Sequence, residues 1–124
     1  MITTGKPTLY RGNGSLNAGV VATAAPSTET WQHLAVTMSG TTATHYLGGA
    51  SNGSGTLSTT MADSLLVPMM LGNRGDLFTD FKGLMTECAI FDDALNSTEI
   101  NDIMDNGLEG AVSTAPMHPV INIM

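Results

Sequence analysis

An all-β domain closed by one short C-terminal helix is the fold class this sequence predicts. Charged residues make up only 12% of the chain, while Gly, Ser, Thr, Ala and Asn abound. That is the composition of short strands joined by tight turns, not of salt-bridged surface helices. The apolar residues fall in short runs punctuated by Gly, Asn and Pro, and helical spacing appears behind a start signal at Asn96. At 124 residues the chain reads as one domain, able to bury roughly 60 to 70% of the surface its unfolded form exposes.

The elements follow in order. Thr8-Leu9-Tyr10, the turn Gly12-Asn13-Gly14 and the run at Val20-Val21, ended by Pro26, read as two strands joined in a hairpin. Trp31 to Met38 is a strand with Leu34, Val36 and Met38 on one face and His33, Ala35 and Thr37 on the other; the first face seeks the core. Thr42 to Leu47 follows and turns at Gly48-Gly49, where left-handed backbone angles cost glycine nothing. Asn52-Gly53-Ser54-Gly55 reads as a loop or second turn, and Val67 to Leu71 and Gly83 to Phe91 as further strands. Trp31, Leu34, Val36, Cys88 and Ile90 are expected to be largely buried between two sheets.

Asn96 and Glu99 form a capping box: the Asn96 side chain can accept from free amides while Glu99, three residues on, reaches back. Ile100, Ile103 and Met104 then share one helical face, with Asp102 and Asp105 opposite, and Gly107 is placed to stop the helix. The domain is expected to span residues 1–110. Residues 111–124 hold Pro116 and Pro119 and read as an extended C-terminal arm.

The motifs Trp31-Gln32-His33-Leu34-Ala35-Val36-Thr37, Tyr46-Leu47-Gly48-Gly49, Leu71-Gly72-Asn73, Phe81-Lys82-Gly83 and Ala94-Leu95-Asn96-Ser97-Thr98-Glu99-Ile100 occur in a fixed order. Over residues 31–108 the chain resembles the C-terminal half of the laminin-G-like, concanavalin A-like lectin-glucanase β-sandwich family. The resemblance implies an antiparallel jelly-roll β-sandwich. It departs from the family in two ways. The usual strands before the Trp strand are largely missing, so the sandwich is trimmed or a neighbouring chain covers an open sheet edge. Gly48 also stands where the family usually has Asp, removing a side chain available for capping or metal contact.

The chemistry is sparse. Glycanases of this fold carry a Glu-x-Asp-x-x-Glu strand whose carboxylates share one cleft, and nothing here matches it. Glu99, Asp102 and Asp105 read as a solvated helix face. His33, His45 and His118 are scattered, and no nucleophile elbow or phosphate loop occurs. His33 reads as a packed structural histidine, and Cys88, the only cysteine, as a buried thiol. No cofactor is expected. Calcium is the one candidate metal, with Asn73, Asp76 and Asp80 gathering oxygen ligands in a turn-rich loop. With Trp31, Tyr46, Phe81 and Phe91 in core or hairpin positions, Tyr10 and Phe78 are the candidate glycan-stacking aromatics. Arg74-Gly75-Asp76 spells an integrin-type tripeptide, which arises easily by chance in such a composition.

A net charge of −7, from 11 acidic and 4 basic residues, repels a phosphate backbone and argues against nucleic acid as a partner. The segment Met1 to Lys6 lacks the apolar stretch of a signal peptide, and the longest apolar run, Leu65 to Leu71, is broken by Pro68, so neither secretion nor membrane insertion is expected. The apolar residues Val120, Ile121, Ile123 and Met124 would leave a sticky end in water and are the candidate docking residues for a neighbouring subunit, in a homo-oligomer or among other structural subunits. These features lead to a non-enzymatic structural protein of a large assembly, a virion surface or capsid-decoration protein or a component of another extracellular assembly. The alternative is a lectin-like glycan-binding or adhesion module. Either way, the purified protein should leave β-glucans intact in a reducing-sugar assay. Sugar release that disappears on replacing Glu87 or Glu99 would contradict this.

Overall fold

The structure, a computed structural model, describes residues 5–12, 17–57, 71–72, 81–114 and 121–122. Strands β1 (Thr8–Gly12) and β2 (Asn17–Val21) form an antiparallel hairpin with Leu9 opposite Val20 and Tyr10 opposite Gly19. Strands β3 (Leu34–Ser39), β4 (Thr42–Leu47) and β5 (Ala50–Thr56) form a three-stranded antiparallel meander. Two short strands, β6 (Ala89–Ile90) and β7 (Ile121–Asn122), pair with each other, and helix α1 (Ser97–Thr114) lies between them in sequence. The fold is thus built mostly of antiparallel sheets with one helix, as expected.

The meander is tight because its turns are. Leu47 pairs with Ala50, which leaves Gly48 and Gly49, both at positive φ (56° and 75°), as a two-residue hairpin turn. Strand β5 continues through Asn52-Gly53-Ser54-Gly55, the segment expected to be a loop. Its glycines serve close approach instead: a Cβ on Gly55 would stand 3.0 Å from Val20 Cγ2, and one on Gly53 would meet Thr23 Oγ1 at 2.6 Å. The β1–β2 hairpin therefore lies directly on β5. Val20, Ala43 and Leu57 form the buried cluster, with Leu9 and Met38 packed against it.

Helix α1 starts on the expected box. Asn96 Oδ1 accepts from Thr98 N (2.8 Å) and Glu99 N (3.1 Å), and Glu99 Oε2 accepts from Asn96 N (2.8 Å). Ile100 is fully buried, and Asn101 Nδ2 donates to Gly49 O (3.3 Å), which docks the helix on the β4–β5 turn. Gly107 breaks the helical geometry at φ 72°, where a stop was expected. A second helical stretch follows and runs to Thr114, with Glu87 Oε2 accepting from Leu108 N (3.4 Å) at its start. The extended arm expected from residue 111 thus does not begin there. Within the tail, Ile121 pairs with Ile90 of the same chain. Val120, Ile123 and Met124 lie outside the described residues.

The expected core needs correction. Leu34 pairs with Leu47, Val36 with His45 and Met38 with Ala43, so these side chains share the face that buries Ala43 and His45. Yet Leu34 is 49% exposed and Val36 45%. The hairpin reaches β3 at Met38, where Arg11 Nη1 lies 4.0 Å from Sδ, while Leu34 and Val36 line an open crevice beside Pro7 and Leu9. Ile90 is 50% exposed, Trp31 65% exposed and Cys88 half-buried. Of the strand expected over Gly83 to Phe91, Ala89–Ile90 alone is extended pairing, and Val67 to Met70 lie outside the described residues.

The two leucines separate these roles. Leu57→Ala should cost about 2 to 5 kcal/mol in chemical denaturation, as a fully buried truncation, whereas Leu34→Ala should cost about 1 kcal/mol because half of its surface is already in water. Equal or reversed costs would contradict this placement.

Candidate functional site

The outer face of the β1–β2 hairpin carries Tyr10. Alternation sends Leu9 and Val20 inward and leaves Tyr10 and Gly19 outward as direct cross-strand neighbours. The ring lies across Gly19: a Cβ there would stand 2.7 Å from Tyr10 Cε1 and 2.9 Å from Cδ1. One ring face rests on backbone and the other faces water, with the residue 54% exposed. A pinned ring with an open face is the geometry that stacks on the C–H face of a sugar or on a flat apolar group. Around it stand exposed Val21 and half-buried Thr8, whose hydroxyl donates to Lys6 O (3.4 Å).

On the inner side, the hairpin and β3–β4 leave a crevice of about 190 Å³ lined by Pro7, Leu9, Leu34, Val36, His45 and Asn52. His45 and Asn52 are already engaged. His45 Nε2 lies 2.9 Å from Val20 O; a carbonyl only accepts, so this nitrogen carries the ring proton. Asn52 Oδ1 accepts from Ala24 N (2.8 Å) and its Nδ2 donates to Ala24 O (2.9 Å). The crevice therefore offers apolar contact and no free carboxylate.

The expected site residues fare unevenly. Tyr10 stands where a glycan could reach it, while Asn73, Asp76, Phe78 and Asp80, and with them the Arg74-Gly75-Asp76 tripeptide, lie outside the described residues. Among the described residues, no three His, Cys, Asp or Glu gather as metal ligands. His33 is half-buried with its Nδ1 lacking a hydrogen-bond partner among the described residues, while its carbonyl accepts from Gly48 N (2.9 Å). Cys88 Sγ is 3.9 Å from Thr86 O. Glu99 is held in the helix cap, and Asp102 Oδ1 accepts from Asn106 Nδ2 (2.6 Å). The described strands contain no Asp or Glu at all. No helix among them is long and apolar enough to cross a membrane.

Two exposed aromatics were missed. Trp31, expected to be buried, and Phe81, expected in a core or hairpin position, are 65% and 55% exposed. Trp31 sits in the irregular lead-in to β3, where Gln32 Oε1 accepts from Ser27 N (2.6 Å) and closes a short loop. The polar run Ser27-Thr28-Glu29-Thr30 just before it was the available sign that the strand starts later.

The chain belongs to the concanavalin A-like lectin/glucanases superfamily, whose family model matches residues 3–101. Among solved structures it is similar to residues 221–444 of an S-layer domain-containing protein from Clostridium thermocellum ATCC 27405, at 24% sequence identity and a TM-score of 0.45. That match covers 68% of this chain and 44% of the other, so the chain spans less than half the length of the protein segment it matches. No curated protein matches it.

Proposed function

We propose that this chain is a non-catalytic, lectin-like recognition module displayed on an extracellular or particle surface. The observation that carries the reading is the Tyr10 ring, pinned on Gly19 and open on its other face. Membership of a superfamily that includes lectins supports it. That the described strands carry no carboxylate is in keeping with binding instead of glycan cleavage, which requires a paired acid and nucleophile. The ligand class is a surface glycan, whose C–H faces stack on the aromatic while its hydroxyls meet the polar rim near Thr8 and Lys6.

A second reading, a structural subunit of a large assembly such as a virion surface or capsid decoration, draws on a different observation. The half-exposed Leu34 and Val36 lie on the β3–β4–β5 sheet, whose strands include no Asp, Glu, Lys or Arg. An uncharged apolar sheet margin suits packing against other protein. The tail that first suggested such docking has its described part, Ile121, paired within the chain. The two roles are compatible, because Tyr10 and β3 belong to different elements.

Tyr10→Ala should lower binding on a glycan array, or in titration calorimetry with the best array hit, by about tenfold or more, in line with about 1 to 3 kcal/mol for loss of an aromatic platform. Gly19→Ala should weaken it as well, because the added methyl lifts the ring. Binding unchanged in both variants would overturn the assignment of this site.

A further inference from the structure

We propose that the crevice between the β1–β2 hairpin and β3 binds a small, neutral, ring-sized molecule carrying one hydrogen-bond donor, a phenol being the simplest of the class, with His45 Nδ1 as the acceptor. The inference is independent of the glycan reading, which rests on the outer face of the hairpin.

The crevice is held open because the hairpin is tied down at both of its ends. Arg11 Nη1 lies 4.0 Å from Met38 Sδ and donates to Gly40 O at 3.5 Å, which anchors the hairpin on the far end of β3. Near the start of that strand, the Asn52 side chain clasps the backbone of Ala24 through both of its amide atoms. Leu34 and Val36 stay half-exposed between these ties. A site fixed in this way costs little ordering when a ligand enters.

Its wall holds one acceptor with nothing to accept from. His45 is only 4% exposed and gives its Nε2 proton to Val20 O at 2.9 Å, so the neutral ring keeps a lone pair on Nδ1. No group among the described residues donates to that nitrogen, yet it is not sealed from solvent. The ring borders the crevice, so the lone pair opens there. Pro7, Leu9, Leu34 and Val36 supply apolar wall, and Asn52 has spent its amide on Ala24. A water on Nδ1 is therefore poorly held, because ordered buried waters make about three hydrogen bonds. A ligand that brings a donor and an apolar body replaces such a water at a gain.

Size and charge narrow the class. The crevice measures about 190 Å³, and an engineered protein cavity of about 150 Å³ lined by Leu, Ile and Phe takes up benzene. One ring fits. No lining residue is Asp, Glu, Lys or Arg, so a charged ligand would lose its hydration with no partner to replace it.

Phenol and toluene test this as a pair of similar shape that differs in the donor. Phenol titrated into the full chain and followed by heteronuclear NMR should move the amides of Leu9, Leu34 and Val36 saturably, together with the His45 Nδ1 resonance. Toluene should bind about tenfold more weakly, the worth of one hydrogen bond. Val36→Phe, which fills the crevice from a half-exposed position, should abolish the phenol response while the rest of the amide spectrum is retained. Phenol that never saturates, as when protein fills the crevice instead, overturns the proposal. So does toluene that binds as well as phenol. Phenol binding that is lost in Tyr10→Ala but kept in Val36→Phe would place the ligand on the outer ring and overturn it too.

Discussion

The structure depends on a seam between the β1–β2 hairpin and β5. A two-stranded hairpin is marginal alone in water, and this one holds its place because several groups fix it at once. Val20 sits where Gly55 lacks a side chain, and its carbonyl accepts from buried His45. Thr23 N donates to Asn52 O at 2.8 Å, and the Asn52 amide grips both backbone groups of Ala24. A buried amide bonded on both sides acts like one more rung of a sheet, each bond contributing about 0.5 to 1.5 kcal/mol. Because the seam faces Leu9 and Val20 inward, Tyr10 must face outward, and the crevice between the hairpin and β3 leaves Leu34 and Val36 half-exposed. Both surfaces discussed above are consequences of where this seam lies.

Much of the fold was legible in the sequence because it is locally encoded. The Gly48-Gly49 turn, the Asn96–Glu99 box and the break at Gly107 each rest on backbone rules that act within a few residues. The face of β3 that carries Leu34 and Val36 was legible too, since alternation sets it. Its cover was not, because periodicity states which side chains share a face and not what lies over them. Gly53 and Gly55 misled for a related reason. Glycine serves turns and close approaches alike, and the residues that approach them, Val20 and Thr23, lie far away in sequence. The candidate site was half legible: Tyr10 followed from being surplus to the core, whereas the exposure of Trp31 depends on where β3 begins.

The functional reading is one of surfaces, not of chemistry. The His45 and Asn52 side chains inside the crevice are engaged by the chain's own backbone, and the carboxylates of Glu87, Glu99 and Asp102 are tied to helix α1. Among the described residues, the exposed groups are an aromatic ring on one sheet and the half-exposed Leu34 and Val36 on the other.

Native-state amide hydrogen exchange, read residue by residue, tests the seam most directly. If the hairpin and the meander are one cooperative unit, the amides of Thr23 and Ala24 should exchange as slowly as those at the centre of β4, with the same dependence on denaturant. Exchange at Thr23 and Ala24 that is fast and independent of denaturant while β4 stays protected would show that the hairpin opens alone, and would contradict the account.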